Sequence, residues 1–536
     1  MIRISVEKTA SRGIVVSPTF QYVEPDLSPD THLVLDDQVK EEVQKFEQAK
    51  KLVCAALEQA AQKSEIFAAH IEIADDFTLQ EGVVSKIKSQ NKNVQLAMHE
   101  TVEEIATMFS MIDDPYMQER SADIKDVGKR YMAILKGVQR PDLGDLTEEV
   151  IVVAKDMYPS DTVKINTDYV KGIITEEGGV TSHVFIIAKS MDIPILVGVS
   201  GVLAQVQAGQ TICMDAEKGD IIINPTAAHA AEYAEKKATY LGAKAKLEAL
   251  RGEKVITKDG RQILLAANVG GIVDIQNALK MNIDGVGLFR SEFLYMENAH
   301  FPTETEQFKV YKEAVELCPS ELTIRTLDIG GDKELSYFEF DKEENPFLGW
   351  RAVRICLEMQ DMFKEQIRAI LKASAFGHVR MMIPMIISLE EIAAVKEIVA
   401  ICKAELSAEQ VAFDKDIQIG MMMETPSSVM LAEEFAKEVD FFSIGTNDLT
   451  QYLLAVDRGN KKIADKYNYF HPAVTKAIRQ IIEAGHAAGI PVGMCGEMAG
   501  DLKATALLLE MGLDEFSMSA SSIDYVREFL LKAVQE

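Results

Sequence analysis

Residues 178–189 read GGVTSHVFIIAK. Two glycines permit a tight turn and close backbone approach, and Thr181 or Ser182 can cap a helix that starts at His183. This spacing puts an imidazole at a helix N-terminus, where free N–H groups and the dipole favour an anion. A neutral imidazole can attack phosphorus through a ring nitrogen and hold the phosphoryl group as a phosphoramidate, which makes His183 the candidate nucleophile. The competing reading is a capped helix with an incidental histidine.

A second set of reactive types stands where apolar runs stop: Asn268, Arg290, Arg325, Asp328, Glu424, Asn447, Asp448, Cys495, Glu497 and Ser517. Glu424 and Asp448 are two carboxylates from neighbouring runs. With water and substrate oxygens they suit Mg²⁺, a hard cation that keeps several waters; alternatively they pair with the nearby arginines. Arg290, Arg325, Arg351 and Arg458, with Lys333, offer fixed positive charge for a highly anionic ligand, and Asn447 can donate to a phosphate oxygen. Cys495, in GMCGE, could give a proton to a carbanion-like carbon. Its competing reading is a small buried hydrophobe, the reading assigned to the other five cysteines.

Eight short apolar runs carry this second set: ILLAANV, GVGLFRSEF, LTIRTLDI, VRMMIPMI, QIGMMMETP, DFFSIGTNDL, PVGMCGEM and EFSMS. Helical segments separate most of them. Eight strands over roughly 275 residues match a (β/α)₈ barrel, whose active site lies at the C-terminal ends of its strands. Upstream, the run GIVVSP predicts a strand that ends at Pro18. Residues 30–140 carry apolar positions at three-and-four spacing, so they predict a helical block. From residue 148, short β-rich runs return around one helix near His183. The helical block is therefore inserted into a small β/α domain, and an Ala-, Lys- and Glu-rich helix after Pro225 connects that domain to the barrel.

The chain has 536 residues and a net charge of −28, so several domains are expected. Such acidity disfavours nucleic acid and anionic lipid. Six scattered cysteines without CxxC pairs suit a reducing cytosol. The start lacks an apolar leader, and the longest uncharged run, 193–214, is poorly built to span a bilayer. Residues 21–150 hold 14 basic against 26 acidic side chains. Alone, that excess reads as a solvated helical face.

The segments GGVTSH, LFRSEFLYM, RTLDIGGDKEL, NPFLGWRAVRICL, IGMMMETPSS, DFFSIGTNDLTQYLLAVDRGN and GMCGEMAGD, in this order, resemble Enzyme I of the bacterial phosphoenolpyruvate:sugar phosphotransferase system. The resemblance spans essentially the whole chain. It implies a multidomain α/β protein: a swivelling phosphohistidine β/α domain (1–25 and 142–225), an inserted α-helical HPr-binding domain (26–141), a linker helix (226–252) and a C-terminal (β/α)₈ TIM barrel (253–536) that binds phosphoenolpyruvate and dimerises. It implies that His183 takes a phosphoryl group from phosphoenolpyruvate, releases pyruvate, and passes the group to a histidine of the carrier HPr. By the same resemblance Arg290, Arg325, Arg458 and Asn447 contact phosphoenolpyruvate. Glu424 and Asp448 hold Mg²⁺, and Cys495 protonates the enolpyruvate carbon. Arg351 and Lys333 join the basic cluster. A cytoplasmic homodimer, without membrane insertion or nucleic acid, is expected.

Val180 and Lys189 stand where the family often has Arg, Arg12 where it usually has Pro, and the C-terminus ends soon after FSMSASS. Dikinases and phosphoenolpyruvate synthases share the His domain and barrel but need an ATP-binding domain ahead of the histidine, and only 182 residues precede His183 here. A regulator that binds phosphoenolpyruvate without turnover is the non-enzymatic alternative. Beside the resemblance, the acidic block is better read as a docking surface for a basic carrier.

Overall fold

The computed structural model describes residues 2–6, 13–61, 66–111, 115–157, 159–162, 165–177, 193–296, 298–330, 335, 337–460 and 462–535. They fall into two compact units, Met1–Ala243 and Lys244–Glu536, and the division lies inside the helix Ala227–Ala249.

The first unit is built on a seven-stranded mixed sheet among the described residues: β1 (Ile2–Ser5), β2 (Ile14–Tyr22), β3 (Val150–Ala154), β4 (Val170–Thr175), β5 (Ile195–Leu196), β6 (Thr211–Asp215) and β7 (Asp220–Ile223), in the order β1-β7-β6-β2-β3-β4-β5. Parallel pairing joins β2 to β3, β4 and β5 in turn, while β2–β6, β6–β7 and β7–β1 are antiparallel. Both faces are covered. Along β3, Val150, Val152 and Ala154 enter one apolar cluster and Ile151 and Val153 the other, as a side-chain period of two requires. The expected stop at Pro18 is corrected: β2 runs on to Tyr22. Proline costs a strand its N–H, and here the ladder to β3 begins one residue later, at Thr19 opposite Ile151.

Between β2 and β3 lie the helices Val39–Ala61, Ile66–Ala74, Phe77–Gln90, Val94–Ser110 and Pro115–Lys136. They bury a core of their own around Phe46, Leu57, Val83, Met98 and Tyr131. Asp76 and Asn93 start two of them by accepting from the N–H of Leu79 and Leu96, the usual N-cap bond. Asn91, at φ 51°, ends the third. The helix expected to start at His183 falls in 178–192, outside the described residues.

The second unit closes a parallel barrel from β9 (Gln262–Val269), β10 (Gly285–Arg290), β11 (Glu321–Arg325), β12 (His378–Ile383), β13 (Gln418–Met423), β14 (Phe442–Ile444), β15 (Val492–Met494) and β16 (Glu515–Met518). β16 pairs with β9 and β9 with β10, so no barrel edge is left open. β8 (Val255–Ile256) forms a hairpin with β9. All eight apolar runs of the sequence became these barrel strands.

Alternation sorts their side chains. Leu322, Ile324, Met381, Ile383, Met421, Met423, Phe516 and Met518 enter the large cluster shared with the surrounding helices. The opposite faces fill the barrel in layers. A middle layer holds Leu288, Met382, Met422, Phe441 and Cys495. Beneath it, Arg380 donates to Glu515 Oε2 at 2.8 Å and Thr323 Oγ1 at 2.9 Å. Arg380 also lies 2.9 Å from Glu321 Oε1 and 4.5 Å over the Phe441 ring. Gly287 makes room for this floor, since a Cβ there would overlap Glu515 Oε1 and Ser517 Oγ. Among the described residues no helix is long and apolar enough to cross a membrane.

Candidate active site

Arg325, the last residue of β11, shares an inward face with Glu321 and Thr323. Its guanidinium pairs with Glu292 and lies 3.0 Å from Asp328 Oδ2. Asp328 Oδ1 accepts from Arg351 at 2.8 Å, and Arg351 stands 3.5 Å from Asp448 Oδ2. Arg458 NH1 is 3.3 Å from Asp448 Oδ1. One chain of alternating charge thus joins Arg325, Asp328, Arg351, Asp448 and Arg458 across the C-terminal rim. Burial works against the charge on Arg325 and Arg351, but the facing carboxylates outweigh it and hold both above the ordinary arginine value.

Glu424 follows β13 and is 2% exposed. Met385 N–H donates to its Oε1 at 2.7 Å. Gly445 is needed beside it, because a Cβ there would stand 2.9 Å from Glu424 Oε2. Burial, then the charges of Asp448 and Asp328, push its carboxyl up to about 8, against the pull of Arg325 and Arg351. Two non-glycine residues in the left-handed region border this corner, Ala352 at φ 54° directly after Arg351 and Met385 at φ 59°. Such strain gathers where surrounding structure over-determines a functional geometry.

Asn447 and Glu497 clasp each other: Glu497 N–H donates to Asn447 Oδ1 at 3.1 Å, and Asn447 Nδ2 to Glu497 Oε1 at 3.4 Å. Cys495 sits at the end of β15 in the middle layer, and burial pushes its thiol up to about 11. It therefore holds its proton at neutral pH. Asn268 donates to the Cys495 carbonyl at 2.8 Å and accepts from Ser517 at 2.7 Å. Arg290 ends β10 and acts electrostatically on Cys495. It makes no ion pair among the described residues.

The structure thus gathers Arg325, Arg351, Arg458, Glu424, Asp448, Asn447 and Cys495 at the rim, with Arg290 at the end of the neighbouring strand. His183 and Lys333 lie outside the described residues, as do Arg12, Val180 and Lys189. Asp328 stood in the set at the run ends without an assigned role, and Glu292 was not singled out from sequence; both face the arginines they orient. Their signal was position: Asp328 follows Arg325 by three residues, and Glu292 follows Arg290 by two. Tyr452 was missed as well. Its hydroxyl donates to Phe347 O at 2.6 Å and accepts from Arg351 at 3.4 Å, tying the segment before Arg351 to the helix that carries Asp448.

The resemblance implies a divalent cation, and the donor set can be tested for one. Among the described residues no three His, Cys, Asp or Glu side chains gather at metal-binding distance. Glu424 and Asp448 supply two carboxylates, and buried Asp448 Oδ1 accepts no hydrogen bond among the described residues, although Arg458 forms an ion pair with it at 3.3 Å. The Glu424 carboxyl, repelled by Asp448 and Asp328, marks room for further positive charge at this corner. That fits a hard cation completed by water and substrate oxygens.

Three PEP-utilising enzyme families match: the PEP-binding domain over residues 244–535, the N-terminal region over 8–120 and the mobile domain over 146–219. A phosphoenolpyruvate-protein phosphotransferase of Haemophilus influenzae is 45% identical over 534 residues, covering 97% of this chain and 92% of the relative. One of Bacillus subtilis is 44% identical over 524 residues, covering 96% and 92%. A solution structure of an Enzyme I protein aligns at 34% identity and TM-score 0.41, with 44% of this chain and 99% of that one.

Proposed function

This chain belongs to the phosphoenolpyruvate–protein phosphotransferase family, Enzyme I, and on that premise we propose that it phosphorylates its own His183 from phosphoenolpyruvate and passes the group to HPr. The observation that carries the site assignment is the convergence of Glu424 and Asp448 with Arg325, Arg351 and Arg458 at one barrel rim. The sheet domain with its helical insert bears the phosphohistidine, the insert docks HPr, and the barrel binds substrate and forms the dimer.

Arg290, Arg325 and Arg458, with Asn447, bind the carboxylate and phosphoryl oxygens. Arg351, held by Asp328, supplies further charge, and Lys333 completes the cluster. Glu424 and Asp448 would hold Mg²⁺, which when bound neutralises charge on the substrate oxygens. A His183 ring nitrogen attacks phosphorus in line as the bond from phosphorus to the enol oxygen breaks, and the electron pair leaves with the enolate. The Cys495 thiol gives its proton to the methylene carbon, which makes pyruvate, and regains one from water. A thiol raised to about 11 supports this acid role. Six free cysteines suit a cytosolic setting.

The test is incubation with labelled phosphoenolpyruvate, with and without Mg²⁺. Wild type should acquire acid-labile, base-stable label that passes to added HPr, and His183→Ala should acquire none. Label retained by His183→Ala would sink the assignment. Cys495→Ala should bind phosphoenolpyruvate but turn over slowly, and unchanged turnover would remove its acid role. Label taken from the β-phosphate of ATP would instead indicate dikinase chemistry.

A further inference from the structure

We propose that Arg140 is a positioning residue for transfer to the carrier, fixing the helical insert against the sheet of the domain to which His183 is assigned. The inference rests on the reading that the insert docks HPr. Arg140 lies on the return segment between the helix Pro115–Lys136 and β3. Its NH1 donates to Asp126 Oδ1 of that helix at 3.0 Å. Its NH2 donates to Glu24 Oε1, just beyond β2, at 2.7 Å, and stands 3.7 Å from Asp161 Oδ1 on the sheet side. Tyr22, the last residue of β2, donates its hydroxyl to the same Asp161 oxygen at 2.8 Å. Asp126 is 1% exposed and takes a second partner, Arg130, at 3.1 Å.

One guanidinium therefore joins three carboxylates drawn from the insert, the connecting segment and the sheet domain. The planar fork sets angle as well as distance. Asp126 and Asp161 in this cluster are buried and Arg140 and Glu24 partly so, and losing the shared guanidinium would leave the buried acids less compensated. The insert meets the sheet at two chain crossings, after β2 and before β3, so the pose between them depends on what spans the junction. Transfer between two imidazoles needs that pose, since small misplacements of reacting groups cost large factors in rate. None of these residues belongs to the substrate or cation site.

The experiment uses the full chain as Arg140→Met and as the milder Glu24→Gln. Labelling from phosphoenolpyruvate is measured first, then kcat and KM for transfer to HPr. Arg140→Met should be labelled at the wild-type rate, while kcat for transfer falls roughly ten-fold or more at unchanged KM. Glu24→Gln should fall less, in the same direction. Unchanged transfer by folded Arg140→Met overturns the proposal. So does an equal loss in both half-reactions, which is a general structural effect, or a raised KM at unchanged kcat, which is a docking effect. If Arg140→Met does not fold, Glu24→Gln decides by the same criteria. Failure of wild type to label or to transfer would count against the functional reading instead.

Discussion

The barrel holds a charged cluster at each end, and the two differ in how completely they are satisfied. At the floor, Arg380 faces Glu515, Glu321 and Thr323. None of these four leaves a buried side-chain nitrogen or oxygen without a partner, among the described residues. At the rim, Arg325 Nε, Arg351 Nε and Thr446 Oγ1 are buried without one among the described residues, and Asp448 Oδ1 has only its ion pair with Arg458. Native interiors pair their buried polar groups. Within this barrel, the closed cluster therefore reads as packing, and the open one, at the end where strand C-termini converge, as a place that a ligand can complete. Both ends hold a carboxyl whose pKa is raised, Glu424 to about 8 and Glu321 to about 7. A raised pKa alone does not tell them apart, and the unmet hydrogen bonds do.

Substitution at the two ends should separate activity from stability. The rim double variant Glu424→Gln, Asp448→Asn should lose roughly 10⁴-fold in labelling from phosphoenolpyruvate, about 5 kcal/mol of barrier, while its unfolding midpoint stays level or rises. A rim variant that unfolds instead would erase the contrast. At the floor, Arg380→Met strands two acids and should cost about 3–5 kcal/mol of stability in denaturant titration. Protein that remains folded should still label, and loss of labelling at full stability would mark the floor as functional.

The floor should also govern part of the pH dependence of folding. Burial first, and the Glu515 charge second, raise Glu321 from 4.5 to about 7, against Arg380. The folded state thus holds this proton more tightly than the unfolded chain. The stabilisation is complete below pH 4.5 and is lost as pH climbs to about 7, on the order of 3 kcal/mol over that window. Glu321→Gln should flatten this slope in unfolding measurements, and an unchanged slope would assign it elsewhere. The smallest effect is expected at the border of the rim. Ser517→Ala removes one bond to Asn268 and should cost about 1 kcal/mol, with little change in labelling rate. A large kinetic loss would move Asn268 into the site.

Arg290, Arg325, Glu424, Asn447, Asp448 and Cys495 were legible because each follows an apolar run, and barrel topology brings run ends together whatever their separation in sequence. Glu424 and Asp448 came from different runs and meet for that reason. The floor was not legible in the same way. Glu321, Arg380 and Glu515 stand at or near the starts of their strands, where a charged residue looks like a turn flank. Only the alternation of ELTIR, HVRMMI and EFSM shows them facing inward. Glu292 and Tyr452, which meet Arg325 and Arg351, also escaped, because pairing is set by which loop folds over which strand. The extension of β2 past Pro18 depended on where a neighbouring ladder begins, a tertiary fact.

β11 has a consequence for how this chain can change over generations. Its five residues place Glu321, Thr323 and Arg325 inside and Leu322 and Ile324 outside. A single inserted or deleted codon within it would turn the side chains on one side of the change to the opposite face. Floor and rim could not both keep their register, and either the floor would lose an acid or the rim its guanidinium. Length variation among descendants is therefore confined to the connections, and inherited change within β11 is confined to swaps of one side chain for another.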